Sequence, residues 1–288
     1  VLICGYLLGC RTPPKQRAAR YTGPTEPLRS VVEKVNANAE KVATLRGAGS
    51  FEAWIAESAD QKPRFINGEV TLLYSRPRSM RLIGKKDIAG QIFEIGSNDE
   101  RYWVIVRGET DTMWWGTYQN LDRVDARRIP IRPDLVLEVL GVQPINTNFL
   151  QPPVPVMRFN NDADAYMLVW NVPLHDRWVA QKEVWYDRAT LLPRLVLLFD
   201  EHGRVVLRAY LSKHRPVEVE GAPRDDWPKV ASRYELYFPD SGSRMTIELD
   251  DLALKRNNAP NQRSFTFPAG DRAGVSRIVA IDEQPPGQ

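Results

Sequence analysis

Beyond residue 10 the chain has no cysteine. The two it carries, Cys4 and Cys10, stand within the first ten of 288 residues. A disulfide framework or a cysteine metal site in the body is thereby excluded. Histidine is nearly as scarce: His175, His202 and His214 are far apart, each in or beside an expected turn, and Asp200-Glu201-His202 is an ordinary polar hairpin tip. Neither Gly-x-Ser-x-Gly nor His-Glu-x-x-His occurs, and Gly47-Ala48-Gly49 follows a helix pattern and lacks the third glycine of a dinucleotide loop. Asn160-Asn161-Asp162-Ala163-Asp164 opens as a calcium loop does, without its glycine and closing glutamate. Charge of one sign is missing as well. With 39 basic and 36 acidic residues the net charge is +3, too balanced for a nucleic-acid partner. These absences lead to the expectation of no enzyme, no catalytic residues, no metal and no cofactor.

What is present is a run of alternating strands. Val70, Leu72 and Tyr74 alternate with Glu69, Thr71 and Ser75, the pattern of a half-buried strand. Arg76-Pro77-Arg78-Ser79 breaks it, and Met80 and Leu82 resume it. Phe93 and Ile95 flank Glu94, Ser97-Asn98-Asp99-Glu100 forms a turn, and Tyr102, Val104 and Val106 make one face of the next strand. The result is an antiparallel meander with a wide apolar face rich in aromatics. Trp114-Trp115 continues it as sheet packing or a rim.

Around the meander, Leu28–Leu45 has helical spacing through Val31, Val35, Ala39 and Val42, with Pro27 at its start and Gly47 past its end. Its apolar face needs a sheet to lie on. Ser50–Glu57 reads as the first strand, Arg132–Val142 as a short helix led by Pro133, and Gln143–Val156 as a loop or lid. Strands follow at Tyr166–Val172, Trp178–Tyr186, Leu192–Phe199, Val205–Ser212, Val230–Phe238 and Arg244–Leu254, and the last at Ser264–Phe267. The fold class is therefore α+β, mainly antiparallel β: an unclosed, curved β-barrel with helices covering its concave apolar face. The organisation is a signal-peptide remnant over 1–10, a flexible tether over 11–26, one domain over 27–268 and a C-terminal tail over 269–288.

Val1 to Cys10 is an apolar run, far short of the roughly 20 residues of a transmembrane helix and about the size of a secretory core. Leu7-Leu8-Gly9-Cys10 resembles the bacterial lipobox, whose cysteine is lipidated and becomes the mature N-terminus. The lack of a basic stretch before Val1 points to residues upstream. Arg11 does not resemble the aspartate that retains lipoproteins in the inner membrane. Together these imply a lipid-anchored protein facing the periplasm, at the outer membrane.

Taken in order, several local patterns resemble the bacterial lipoprotein carrier and receptor family of the Lol pathway (LolA/LolB-like). They are the N-terminal amphipathic helix, Gly68-Glu69-Val70 running into Arg76-Pro77, Phe93-Glu94-Ile95, Tyr102-Trp103, Val184-Trp185-Tyr186-Asp187 through Leu192-Pro193-Arg194, Gly203-Arg204-Val205, and Asp251-Leu252 with Asn257 and Ser264-Phe265-Thr266-Phe267-Pro268. The resemblance spans about Leu28 to Pro268. It implies that Arg76 helps hold a helical lid closed and that Met80, where the family has an aromatic, lines the mouth. The implied cargo is acyl chains or lipoproteins, bound by a monomer in a hollow lined by Tyr74, Arg76, Met80, Leu82, Phe93, Ile95, Tyr102 and Val104. A lipidated Cys10 would carry at least two chains, and two signals give stable attachment, which favours a tethered receptor over a free carrier. The alternative is an envelope sensor or scaffold that uses the same fold to bind a protein partner.

Overall fold

The computed structural model describes residues 20–56, 62–86, 90–108, 110–123, 133–174, 176–254 and 260–282. The secretory run, Cys4, Cys10 and His175 lie outside them. The chain opens with helix α1 (Leu28–Ala39), then β1 (Thr44–Ile55), β2 (Arg64–Ser75), β3 (Ser79–Lys86), β4 (Gly90–Ser97), β5 (Arg101–Val106) and β6 (Thr112–Thr117). Helix α2 (Pro133–Val139) leads to β7 (Val154–Asn160), β8 (Ala165–Leu174), β9 (Arg177–Asp187), β10 (Pro193–Phe199) and β11 (Val205–Ser212). A two-residue pair follows, β12 (Arg215–Pro216) with β13 (Lys229–Val230), and then β14 (Arg233–Phe238), β15 (Ser243–Ala253) and β16 (Arg277–Ala280).

Fourteen of these strands form one sheet in the order β16-β6-β5-β4-β3-β2-β1-β15-β14-β11-β10-β9-β8-β7. Every pairing is antiparallel except β16 with β6. The sheet is large, curved and unclosed, with β16 and β7 at its edges. Register shifts interrupt β1 with β15 at Ala48/Gly49, β3 with β4 at Gly84/Lys85 and β8 with β9 at Trp170/Asn171. Such bulges bend a strand and increase its twist. Gly49 has no substitute at its bulge, since a Cβ there would stand 1.8 Å from the Glu248 carbonyl oxygen.

The helices lie on the concave face. Val31, Val32 and Val35 of α1 and Leu137 and Val139 of α2 join strand residues from both halves of the sheet in one core. Each buried valine of α1 contributes roughly 1.5–3 kcal/mol relative to exposure. The helix ends at Ala39, six residues before the expected Leu45, and β1 begins at Thr44. The apolar spacing carried through Val42 and Leu45 because both are buried, but in the turn and strand that follow. Gly47 is correspondingly inside β1 and caps no helix.

A second departure is at the C-terminus. Ser264–Phe267 is not a strand: Gln262–Phe265 is a 3-10 turn laid beside β3, and the residues after it reach the convex face of β5 and β6. On that face Trp103, Ile105, Met113 and Ala273 form a small core with Trp115 and Phe267. The chain then adds β16 beside β6, so the described part of the tail belongs to the sheet. Buried Glu94 anchors this arrangement. Arg81 donates to both its oxygens at 2.9 Å, Trp103 Nε1 donates at 2.9 Å, and a further Arg81 nitrogen reaches the Ser264 carbonyl. At the other end of the molecule the chain entering α1 is pinned at the β7–β8 turn. Arg20 pairs with Asp162 at 3.1 Å, Arg188 lies over the Tyr21 ring at 3.6 Å, and Tyr21 meets Phe159 edge-on. No helix among the described residues is long and apolar enough to cross a membrane.

Candidate functional site

The alternation that defines β2 to β5 places the expected lining residues on two ladder rows. In one, Leu72 stands opposite Leu82, Leu82 opposite Ile95, Ile95 opposite Val104 and Val104 opposite Trp114. In the next, Tyr74 faces Met80, Met80 faces Ser97 and Ser97 faces Tyr102. Phe93 completes the surface and meets Phe51 edge-on at 5.2 Å. The rows are covered. Tyr74, Met80, Leu82, Phe93, Ile95 and Val104 share the main core with α1 and α2, while Tyr102 packs with Ile281 and Tyr118 in a small cluster of its own.

Arg76 fastens the cover. Its guanidinium nitrogen Nη2 donates to the carbonyls of Ala39, Glu40 and Val42 at 2.9, 3.0 and 3.1 Å. Two of these oxygens belong to the end of α1, where the last carbonyls of any helix lack partners within it and the dipole favours a cation. Arg76 Nε and the Tyr74 hydroxyl are buried without a hydrogen-bond partner among the described residues. Burial pushes the Tyr74 phenol up, and the charge of Arg76 opposes it. Asn36 fastens α1 a second time, to Ile145 in the segment after α2. Asn38 fastens it a third time, to Lys229.

A cavity among the described residues lies beside this cover. It measures about 160 Å³ and runs between α2, the segment Gly141–Asn146, and strands β8 and β9. Its polar centre is an ion pair: Lys182 Nζ stands 2.6 Å from Glu138 Oε2, with side-chain exposures of 14% and 26%. Lys182 also lies 4.6 Å from the centre of the Trp170 ring, its direct cross-strand neighbour. Tyr186, 6% exposed, closes one side. Burial, and secondarily the Glu138 charge, hold its phenol well above the ordinary range. Glu138 acts on Tyr74 in the same sense. Gln143 Nε2 donates to the Pro77 carbonyl, tying the cleft wall to the turn that carries Arg76.

None of the eight residues expected to line a hollow borders this cleft. Glu138, Trp170, Lys182 and Tyr186 carry no motif, but one signal does point to them. Lys182, Val184 and Tyr186 share strand parity, so a lysine occupies an inward position where the pattern calls for an apolar residue. Elsewhere the polar groups are structurally engaged. Asp164 pairs with Arg188 at 2.7 Å, and His202 is exposed beside Glu201. Trp115 packs on Phe267, with Arg101 over both rings.

No protein-family model matches the chain, and no curated protein matches it. Solved structures do. One is a putative outer membrane lipoprotein-sorting protein domain from Vibrio parahaemolyticus, 11% identical, with a TM-score of 0.48 over 82% of this chain and 95% of that one. A LolA superfamily protein from Nitrosomonas europaea is 13% identical, with a TM-score of 0.49 over 83% and 97%. A DUF1329 family protein from Desulfovibrio piger is 10% identical, with a TM-score of 0.48 over 82% and 100%.

Proposed function

We propose that this chain is a tethered protein of the bacterial envelope that takes acyl chains, or the acylated end of a lipoprotein, onto the concave face of its sheet, with α1 and α2 as a movable cover. It acts as a monomer and as a binder, without catalysis. The observation that carries the reading is the fastening of α1 by Arg76 beside the apolar ladder row Leu72, Leu82, Ile95 and Val104. A buried acyl chain gains about 0.8 kcal/mol per methylene. Displacing the helices onto solvent while a chain takes their place is then an exchange of one apolar partner for another.

The cleft of about 160 Å³ is smaller than the roughly 300 Å³ at which ligand pockets begin, so uptake requires the cover to shift. The purified chain should bind a fluorescent fatty acid in a way that unlabelled oleate reverses, and release of α1 by Arg76→Ala should speed uptake. Absence of any displaceable binding in both proteins overturns the reading.

The tether rests on Cys10. Labelling with radioactive palmitate should vanish in Cys10→Ser, and undiminished labelling removes the anchor from the proposal. The lipobox resemblance and Arg11 support attachment at the outer membrane, facing the periplasm.

A second reading, an envelope sensor or scaffold for a protein partner, is favoured by a different observation. The interior is occupied by the chain's own side chains, while Leu150 and Trp178 are 94% and 61% exposed. Under that reading no fatty acid binds and substitution of Trp178 leaves the fold intact.

A further inference from the structure

We infer that the cleft between α2 and strands β8 and β9 is a head-group site for an amphiphile with a single anionic head, a carboxylate or a phosphate. This rests on the acyl-binding reading and names the other end of the same ligand.

Lys182 has three N–H bonds, and the Glu138 oxygen 2.6 Å away accepts from one of them. The Tyr186 side chain, 6% exposed, borders the cleft. Its raised pKa keeps it a donor through the physiological range. The lone anion present, Glu138, sits on the short helix of the cover, so an incoming anion that takes Lys182 from it also detaches α2 from β9. Val184 and Ile145 border the same cleft and belong to the main core, so a chain attached to that head would point towards the apolar rows. A salt bridge this buried suits exchange: removing one partner alone is costly, whereas substituting another anion preserves the pairing.

The test compares dansyl-undecanoic acid with its methyl ester on the purified full chain. The acid should bind at least about tenfold more tightly, the worth of one charge-assisted hydrogen bond. Lys182→Gln should remove that preference and Lys182→Arg should retain it. Glu138→Gln should raise the affinity for the acid, because its competitor is gone. Displacement by oleate and by lysophosphatidate then tells carboxylate from phosphate. Equal binding of acid and ester by the unaltered chain overturns the head-group site while leaving acyl binding in place, and needs no variant to fold. Failure of both probes to bind overturns the acyl-binding reading and this inference with it.

Discussion

Asn36 and Ile145 are joined twice: the amide Nδ2 donates to the Ile145 carbonyl at 2.9 Å, and the Ile145 N–H donates to Oδ1 at 2.7 Å. The side chain of a buried helix residue thereby serves one backbone position of the segment after α2, as a neighbouring strand would. This joins the two parts of the cover, so α1 and the cleft wall move together or not at all. Asn36→Ala leaves a buried donor and a buried acceptor unpaired, at roughly 1–3 kcal/mol each. Urea denaturation should show a loss of at least about 2 kcal/mol, whereas Asn38→Ala, whose partner Lys229 is exposed, should lose less.

Arg76 brings one guanidinium nitrogen within reach of three carbonyls, and the lysine side chain is one bond shorter and places its ammonium short of them. Arg76→Lys should therefore behave more like Arg76→Ala than like the unaltered chain. Hydrogen exchange should accelerate in the last turn of α1 in both variants while the amides of β2 and β3 stay protected. Uniform acceleration through the sheet would show a global loss and refute a local latch.

The C-terminal segment depends on a buried charge. Glu94 is 2% exposed and owes its pairing to Arg81. Arg81→Ala should cost about 3–5 kcal/mol, the usual penalty for stranding one member of a buried pair. Replacing both residues together should cost less than that single change. Trp103, bonded to the same carboxylate, supplies the fluorescence with which to follow it.

The extent of what was legible follows the range of the interactions concerned. The ladder rows could be placed from alternation alone because parity in a strand is a local property, and Tyr74, Met80, Leu82, Ile95 and Val104 all face inward as their spacing implies. The end of α1 could not be placed. Val42 and Leu45 are buried whether helix or strand, and the group that decides, Arg76, arrives from far along the chain. Ser264–Phe267 misled for a related reason. Its apolar residues do pack, but on the convex side, through Phe265 carbonyl and Asn98 contacts that no local pattern encodes. Glu138 and Lys182 went unread because each alone looks like a solvated charge, and only the register of β8 with β9 and the placement of α2 bring them together.

His214 adds a pH dependence. Burial holds its imidazole below the ordinary 6.5, against a hydrogen bond to the Pro193 carbonyl and the charge of Asp187. The unfolded chain therefore takes up a proton first as pH falls, and stability is lost from about 6.5 downwards until the folded-state value is passed. Thermal midpoints measured between pH 7 and 5.5 should decline, and His214→Gln should flatten the decline over that interval.

The ring of Tyr21, held between Arg188 and Phe159 just before α1 begins, determines where a mechanical load would enter the molecule. A pull along the chain from residues before Arg20 would meet the Asp162 carboxylate and the β7–β8 corner first. Force would be spent shearing that hairpin tip and would not peel the helix from the sheet. A body pulled from that end would keep its cover shut, and opening would be left to chemistry at the cleft.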